Sequence, residues 1–180
     1  MSFEVLQSEM IYKGRVFDVR KDQVLMPNGH AIYLDVIEHR DAVTILPVDQ
    51  DGMVWFIRQY RHAVGKYLLE LPAGVAEPGE SPEVSAKREI REEIKMAAGE
   101  LQKIGGFYLA PGYSTEYMHL YLATSLYPEA LVGDEDELLS VEKISAKQAL
   151  ALGEEAQIED AKSLVALFWA RPYLAQLGYI

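Results

Sequence analysis

The feature that most limits the fold is the spacing of turns and apolar runs over the first eighty residues, where no helical period appears. Pro27-Asn28-Gly29 reads as a hairpin turn, with residues 31–37 as the strand that follows it. The run 42–48 (Ala-Val-Thr-Ile-Leu-Pro-Val) reads as a buried strand. Asp51-Gly52 reads as a second hairpin turn before the strand 53–60. The first helix is predicted to start only near Ser81, a good N-cap. Pro82 then takes the first helical position, where its missing N–H would be unpaired anyway. Strand-like runs follow at 103–109 and 117–124, then helical segments near 145–152 and 160–176. Strands and helices without regular βαβ alternation predict an α+β chain, an α/β/α sandwich on a mixed sheet. Residues 1–40 form a small N-terminal antiparallel β lobe in this reading, and 41–180 the main domain.

The chain has 180 residues, 49% of them hydrophobic, enough for a sizeable core. Its formal net charge of −11 repels nucleic-acid backbones and anionic membranes. It does not repel a small phosphorylated molecule held through cations. With no cysteine, disulfides, thiolate nucleophiles and Cys-ligated zinc are excluded. Met1-Ser2-Phe3-Glu4 lacks the basic and apolar regions of a signal peptide, and no stretch approaches the roughly 20 apolar residues of a membrane span. A cytoplasmic enzyme is expected. The acidic run Asp134-Glu135-Asp136-Glu137 reads as a solvated turn. Leu164, Leu167, Phe168, Trp169 and Tyr173 read as core packing, and no chemistry is assigned to His30, His39, His62 or His119.

The chemistry concentrates in Arg88-Glu89-Ile90-Arg91-Glu92-Glu93. At about 100° per residue, Glu89 and Glu93 share one helix face, about 40° apart, with Glu92 beside them. Ile90, Ile94 and Ala97 fall on a neighbouring face that can pack on a sheet. A cation would relieve the like-charge repulsion, and hard oxygen ligands suit Mg2+ or Mn2+. Taken alone, the cluster reads more readily as a solvated charged face, with Arg88 or Arg91 pairing with Glu92 or a neighbour.

The preceding loop changes that balance. Gly74, five residues, Glu80, seven residues, then Arg88-Glu89-Ile90-Arg91-Glu92-Glu93 resembles the box of the Nudix family, and Met96 fills its last apolar position. Lys95 departs from it, standing where the box has the Gly that ends the helix. The helix is therefore expected to run on toward Gly99. The resemblance implies the Nudix fold and metal-assisted attack of water on a pyrophosphate. It makes Glu89 and Glu93 the main metal ligands, Glu92 a further or water-mediated ligand, and the Ala73 carbonyl another. Glu92 and Glu93 thereby count as catalytic as well. Arg88 and Glu80 would orient the helix and its loop.

The flanks resemble the ADP-ribose and nucleoside diphosphate sugar pyrophosphatase branch. The stretches are Arg58-Gln59-Tyr60-Arg61, Glu70-Leu71-Pro72-Ala73-Gly74, Ala110-Pro111-Gly112-Tyr113-Ser114-Thr115-Glu116 and Asp160-Ala161-Lys162-Ser163. By that resemblance Glu116 is the candidate general base, with a metal-ligand role open. Arg61 is the candidate for phosphate or the terminal ribose. Arg58 is a further candidate for binding substrate, although a surface salt bridge is the stronger reading for it, and Glu70 suits a strand-end pair. Phe17 or Tyr12, from a lobe that relatives use for homodimerisation, would stack on the base. The expected substrate is a small nucleotide sugar. Rival readings are hydrolysis of dinucleoside polyphosphates, NADH or coenzyme A, and a sensor that binds a nucleotide sugar without cutting it.

Overall fold

The structure, a computed structural model, describes residues 2–133 and 138–180, so the acidic run 134–137 lies outside the described residues. The chain divides into two compact units. One comprises residues 1–41 with 108–117, and the other residues 42–107 with 118–180.

The first unit is an antiparallel meander of β1 (Glu4–Lys13), β2 (Phe17–Leu25) and β3 (Ala31–His39). The Pro27-Asn28-Gly29 turn joins β2 to β3, with Gly29 at φ 86°, a left-handed conformation that glycine adopts without strain. Every residue of β1 is exposed. The 108–117 segment is tied to β3 by its backbone. Ile37 N–H donates to the Tyr113 carbonyl (2.7 Å) and Thr115 N–H to the Ile37 carbonyl (3.0 Å).

In the second unit, β4 (Ala42–Pro47) is the pivot. It pairs antiparallel with β7 (Ala73–Val75) and parallel with β9 (Tyr117–Pro128), and β8 (Met96–Tyr108) lies beyond β9, giving a mixed sheet. A second sheet orders β10 (Leu139–Ser145), β5 (Met53–Arg61) and β6 (Lys66–Glu70). All of β4 is buried because its alternate side chains enter two cores. Val43 and Ile45 meet Ala86, Ile90 and Ile94 of and after helix α1 (Pro82–Glu93). Leu46 meets Leu150 of α2 (Ala146–Glu154) and Leu167 and Leu174 of α3 (Ala161–Gln176). Helices thus cover both sides of the sheet layer, as the sandwich reading requires.

Four local expectations are corrected. The Asp51-Gly52 turn forms, with Gly52 N–H bonded to the Asp49 carbonyl at 3.0 Å, but it makes no hairpin. Across it Val48 and Val54 form an isolated antiparallel bridge and Asp49 N–H donates to the Met53 carbonyl (3.1 Å), while β4 finds its strand partners in β7 and β9. The strand expected from 103 starts at Met96. Phe168 and Trp169 are exposed at 39% and 44%, and the core face of α3 is carried by Ala166, Leu167, Ala170 and Leu174. Helix α1 stops at Glu93 instead of running toward Gly99. Lys95 itself takes the left-handed conformation (φ 61°) that a glycine would have taken there. Its ammonium donates to the carbonyls of Glu92 (2.7 Å) and Leu131 (2.8 Å), which satisfies an acceptor at the helix end.

Candidate active site

Helix α1 begins where the sequence indicated. Ser81 accepts from the Val84 N–H, and Pro82 follows it. Ala86 and Ile90 pack into the core, and that orientation carries Glu89 and Glu93 inward, to 8% and 3% exposure. Two carboxylates that deep require compensation, since an ionised group out of water is costly unless paired. Arg88 supplies part of it. Its guanidinium donates to Glu80 (3.1 and 3.0 Å), Glu89 (2.7 Å), Glu92 (2.8 Å) and the Val75 carbonyl (3.3 Å). The hydrogen bonds of Arg88 hold Glu80 below the usual carboxylate range, and its acidic neighbours push Arg88 up. The orienting role expected of Arg88 and Glu80 is what this geometry performs.

The loop before the helix is fitted to the carboxylates. Gly74 has no side chain because the space is taken: a Cβ there would lie 1.9 Å from Glu89 Oε1. The neighbouring Ala73 N–H donates to Glu93 Oε2 at 3.0 Å. Glu89, Glu93, Ala73 and Gly74 are therefore brought together, with Glu92 attached through Arg88.

Among the described residues no three acidic or histidine side chains converge closely enough to enclose an ion. Arg88 Nη1 takes one oxygen of Glu89 and one of Glu92, so those oxygens face a guanidinium in this arrangement. The donor chemistry still fits a hard divalent cation. It offers carboxylate oxygens on one helix face and a glycine cradle that leaves Glu89 room against β7.

Arg61, at the end of β5, lies in the same unit. Glu70 on β6 takes its Nε and Nη2 in a fork of two 2.8 Å bonds, leaving Nη1 as the side not committed to Glu70. Asp160 and Glu93 also act on the Arg61 charge. Glu70 makes the expected strand-end pair. Arg58 points to the other face of β5 and forks onto Glu142 of β10 (2.5 and 3.2 Å). The structure does not group it with Arg61.

Glu116 and Phe17 belong to the first unit. Phe17 pairs with His39 across β2 and β3, and His39 Nδ1 lies 4.0 Å from Glu116 Oε1. The loop is pinned by His39 N–H donating to Thr115 Oγ1 (2.9 Å) and Glu116 N–H donating to Ser114 Oγ (3.2 Å). Tyr12 and Phe17 are both exposed. Sequence reasoning passed over His39, since a lone histidine gives no spacing signal. Nor does spacing mark Lys162, whose partner Glu70 lies 92 residues away in the chain.

These features meet their counterparts in known proteins. A NUDIX domain model matches residues 38–167. The chain belongs to the Nudix family. A second model, for the N-terminal domain of nucleoside diphosphate sugar hydrolases, matches residues 3–33 of this Nudix protein. The ADP-ribose pyrophosphatase of Bacillus subtilis (strain 168) is 36% identical over 166 residues, covering 91% of this chain and 90% of that one. A methanol dehydrogenase activator of Bacillus methanolicus is 32% identical over 166 residues, covering 91% and 90%. A crystal structure of an ADP compounds hydrolase superposes with a TM-score of 0.90 at 30% identity, covering 100% of this chain and 98% of that one. The protein is a Nudix hydrolase, and pyrophosphatases of this family depend on a divalent metal. No helix among the described residues is long and apolar enough to cross a membrane.

Proposed function

We propose that this protein hydrolyses the pyrophosphate bond of ADP-ribose or a related nucleoside diphosphate sugar, yielding a nucleoside monophosphate and a sugar phosphate. The observation that carries the reading is the pair of buried carboxylates, Glu89 and Glu93, fitted against Gly74 and Ala73. Mg2+, or Mn2+ in its place, would be held by Glu89 and Glu93 with Glu92 and the Ala73 carbonyl. When bound, such a cation neutralises phosphate oxygens and acidifies a water.

The chain's own groups do the rest. The Ala73 N–H fixes one oxygen of Glu93. Arg88 orients Glu89 and Glu92. Arg61 offers the Nη1 side of its guanidinium to a phosphate oxygen. Glu116 takes the proton as water oxygen bonds to phosphorus. The bond from phosphorus to the bridging oxygen breaks, and the leaving phosphate keeps the electron pair. The Glu116 assignment rests on its place in the Pro-Gly loop of the pyrophosphatase branch. Phe17, with Tyr12 near it in the same lobe, is assigned to the base. Arg58 is assigned to joining β5 to β10. The homodimer, the division of labour between an N-terminal lobe and a hydrolase domain, and a cytoplasmic site of action stand on the sequence grounds given above.

The test is monophosphate release from ADP-ribose, GDP-mannose, UDP-glucose, a dinucleoside polyphosphate, NADH and coenzyme A, with Mg2+, with Mn2+ and with chelator. Metal-dependent cleavage of a sugar nucleotide is expected. Glu93→Gln should lower that turnover by orders of magnitude with the fold retained, and Glu116→Gln should lower turnover more than substrate binding. Binding without cleavage of any compound would overturn the enzymatic reading in favour of a sensor.

A further inference from the structure

Lys162 sits in the first turn of α3 yet is only 8% exposed. A cation there opposes the helix dipole, so local helix energetics do not explain it. Its partners do. Its ammonium contacts Glu70 Oε2 and donates to Asp160 Oδ1 at 2.9 Å. Glu70 is 1% exposed, and its other contacts are the two bonds from Arg61. A buried carboxylate with a single cation on one side is poorly compensated, whereas one held from both sides has one stable orientation.

A second link runs beside the first. Asp160 caps α3 by accepting from the Ser163 N–H (3.0 Å), and it also accepts from the Ser163 hydroxyl. Ser163 Oγ in turn accepts from the Leu71 N–H (2.7 Å). Two residues on, Ala73 N–H reaches Glu93. The N-terminus of α3 therefore grips both the anchor of Arg61 and the segment that leads into β7. The Asp160-Ala161-Lys162-Ser163 stretch is built for holding.

We infer that Lys162 is a positioning residue: through Glu70 it fixes the guanidinium of Arg61, and so sets substrate affinity from a helix that does not itself touch the phosphates. The inference rests on the reading of Arg61 as a phosphate ligand. Burial alone would raise the proton affinity of Glu70, but the two cations overcome it and keep the carboxylate below its usual range. The anchor is therefore charged whenever Arg61 is needed.

The closing experiment combines a double-mutant cycle with a direct view of the side chain. KM and kcat for ADP-ribose with Mg2+ are measured for Arg61→Ala, Lys162→Met and the double variant. Exchange of the Arg61 Nε–H with water is followed by NMR in the Arg61-containing proteins. Glu70→Gln serves alongside as a second way to break the relay, should Lys162→Met fold poorly. Lys162→Met is expected to speed exchange of the Arg61 Nε–H and raise KM about tenfold, the worth of one charge-assisted hydrogen bond, with kcat nearly kept. In the Arg61→Ala background the same change should leave KM unmoved. An unchanged Arg61 signal in both Lys162→Met and Glu70→Gln overturns the inference, as does full additivity in the cycle. If the signal is lost while Arg61→Ala leaves KM as it was, the relay stands and the phosphate role of Arg61 falls instead.

Discussion

Lys95 shows how a single departure from a motif is absorbed. A side chain in the left-handed region costs about 1 kcal/mol relative to glycine, since its Cβ crowds the backbone. The two hydrogen bonds from its ammonium to Glu92 and Leu131 offset that cost. Two substitutions separate the terms. Lys95→Gly loses the bonds and the strain together, so its melting temperature should stay within a few degrees of wild type. Lys95→Ala loses the bonds and keeps the strain, so it should be destabilised by about 1–2 kcal/mol. Thermal unfolding that finds the alanine variant as stable as wild type would refute the capping account. Gly74 gives the opposite kind of case. The atom a new Cβ would meet is the end of the Glu89 side chain, which can swing away at little energetic cost. Gly74→Ala should therefore fold with a near-normal melting temperature while turnover collapses, because the displaced group is a proposed metal ligand.

Element α1 shows which links are legible in a sequence. Its start at Ser81, the shared face of Glu89 and Glu93, and the bonds of Arg88 all lie within one turn or one short loop. The relation between spacing and geometry is fixed there by 3.6 residues per turn. The bond from Lys162 to Glu70 spans 92 residues and that from Arg58 to Glu142 spans 84, and no periodicity reports such pairs. Long-range strand order is hidden for the same reason: β4 leaves its neighbour β5 for β9, 70 residues on, because both strands are apolar on two faces. These ion pairs also set the acid limit of the fold. Glu80 and Glu142 are lowered by hydrogen bonds from Arg88 and Arg58, and Glu70 is lowered by its cations against its burial. Each has a folded value below its ordinary 4.5, so the contribution is complete above that pH and is lost as pH falls through the folded values. Melting temperature should be level above about pH 5.5 and fall steadily below 4.5, and Glu80→Gln should soften the fall. A profile level down to about pH 3 would show that these carboxylates are not depressed.

For the whole molecule, the first unit raises a question of solubility that its own fold does not answer. Among the described residues strand β1 pairs with β2 along one edge only, and all ten of its residues are exposed. Phe3 before it, Val5, Leu6, Met10, Ile11 and Tyr12 on it, and Tyr33 and Leu34 on β3 are exposed apolar side chains on a chain that is otherwise strongly acidic. Isolated proteins blunt an open edge with lysines, proline or a covering element, and β1 carries a single lysine at its end. Exposed apolar side chains gathered on one lobe suit an interface, and a stable one needs about 800 Å² from each partner. A second copy of the chain is the partner we expect, because a twofold contact can cover the same strand on both copies at once. Light scattering at micromolar concentration should therefore return twice the 20.3 kDa of one chain. Val5→Glu with Ile11→Glu should return the single mass, since two buried like charges per copy would face each other without cations. The second unit, with its own two cores, should keep its melting transition in that variant. A wild-type mass of 20.3 kDa would instead mean that the lobe tolerates its exposed strand as a monomer, and the interface would have to be sought with a different partner.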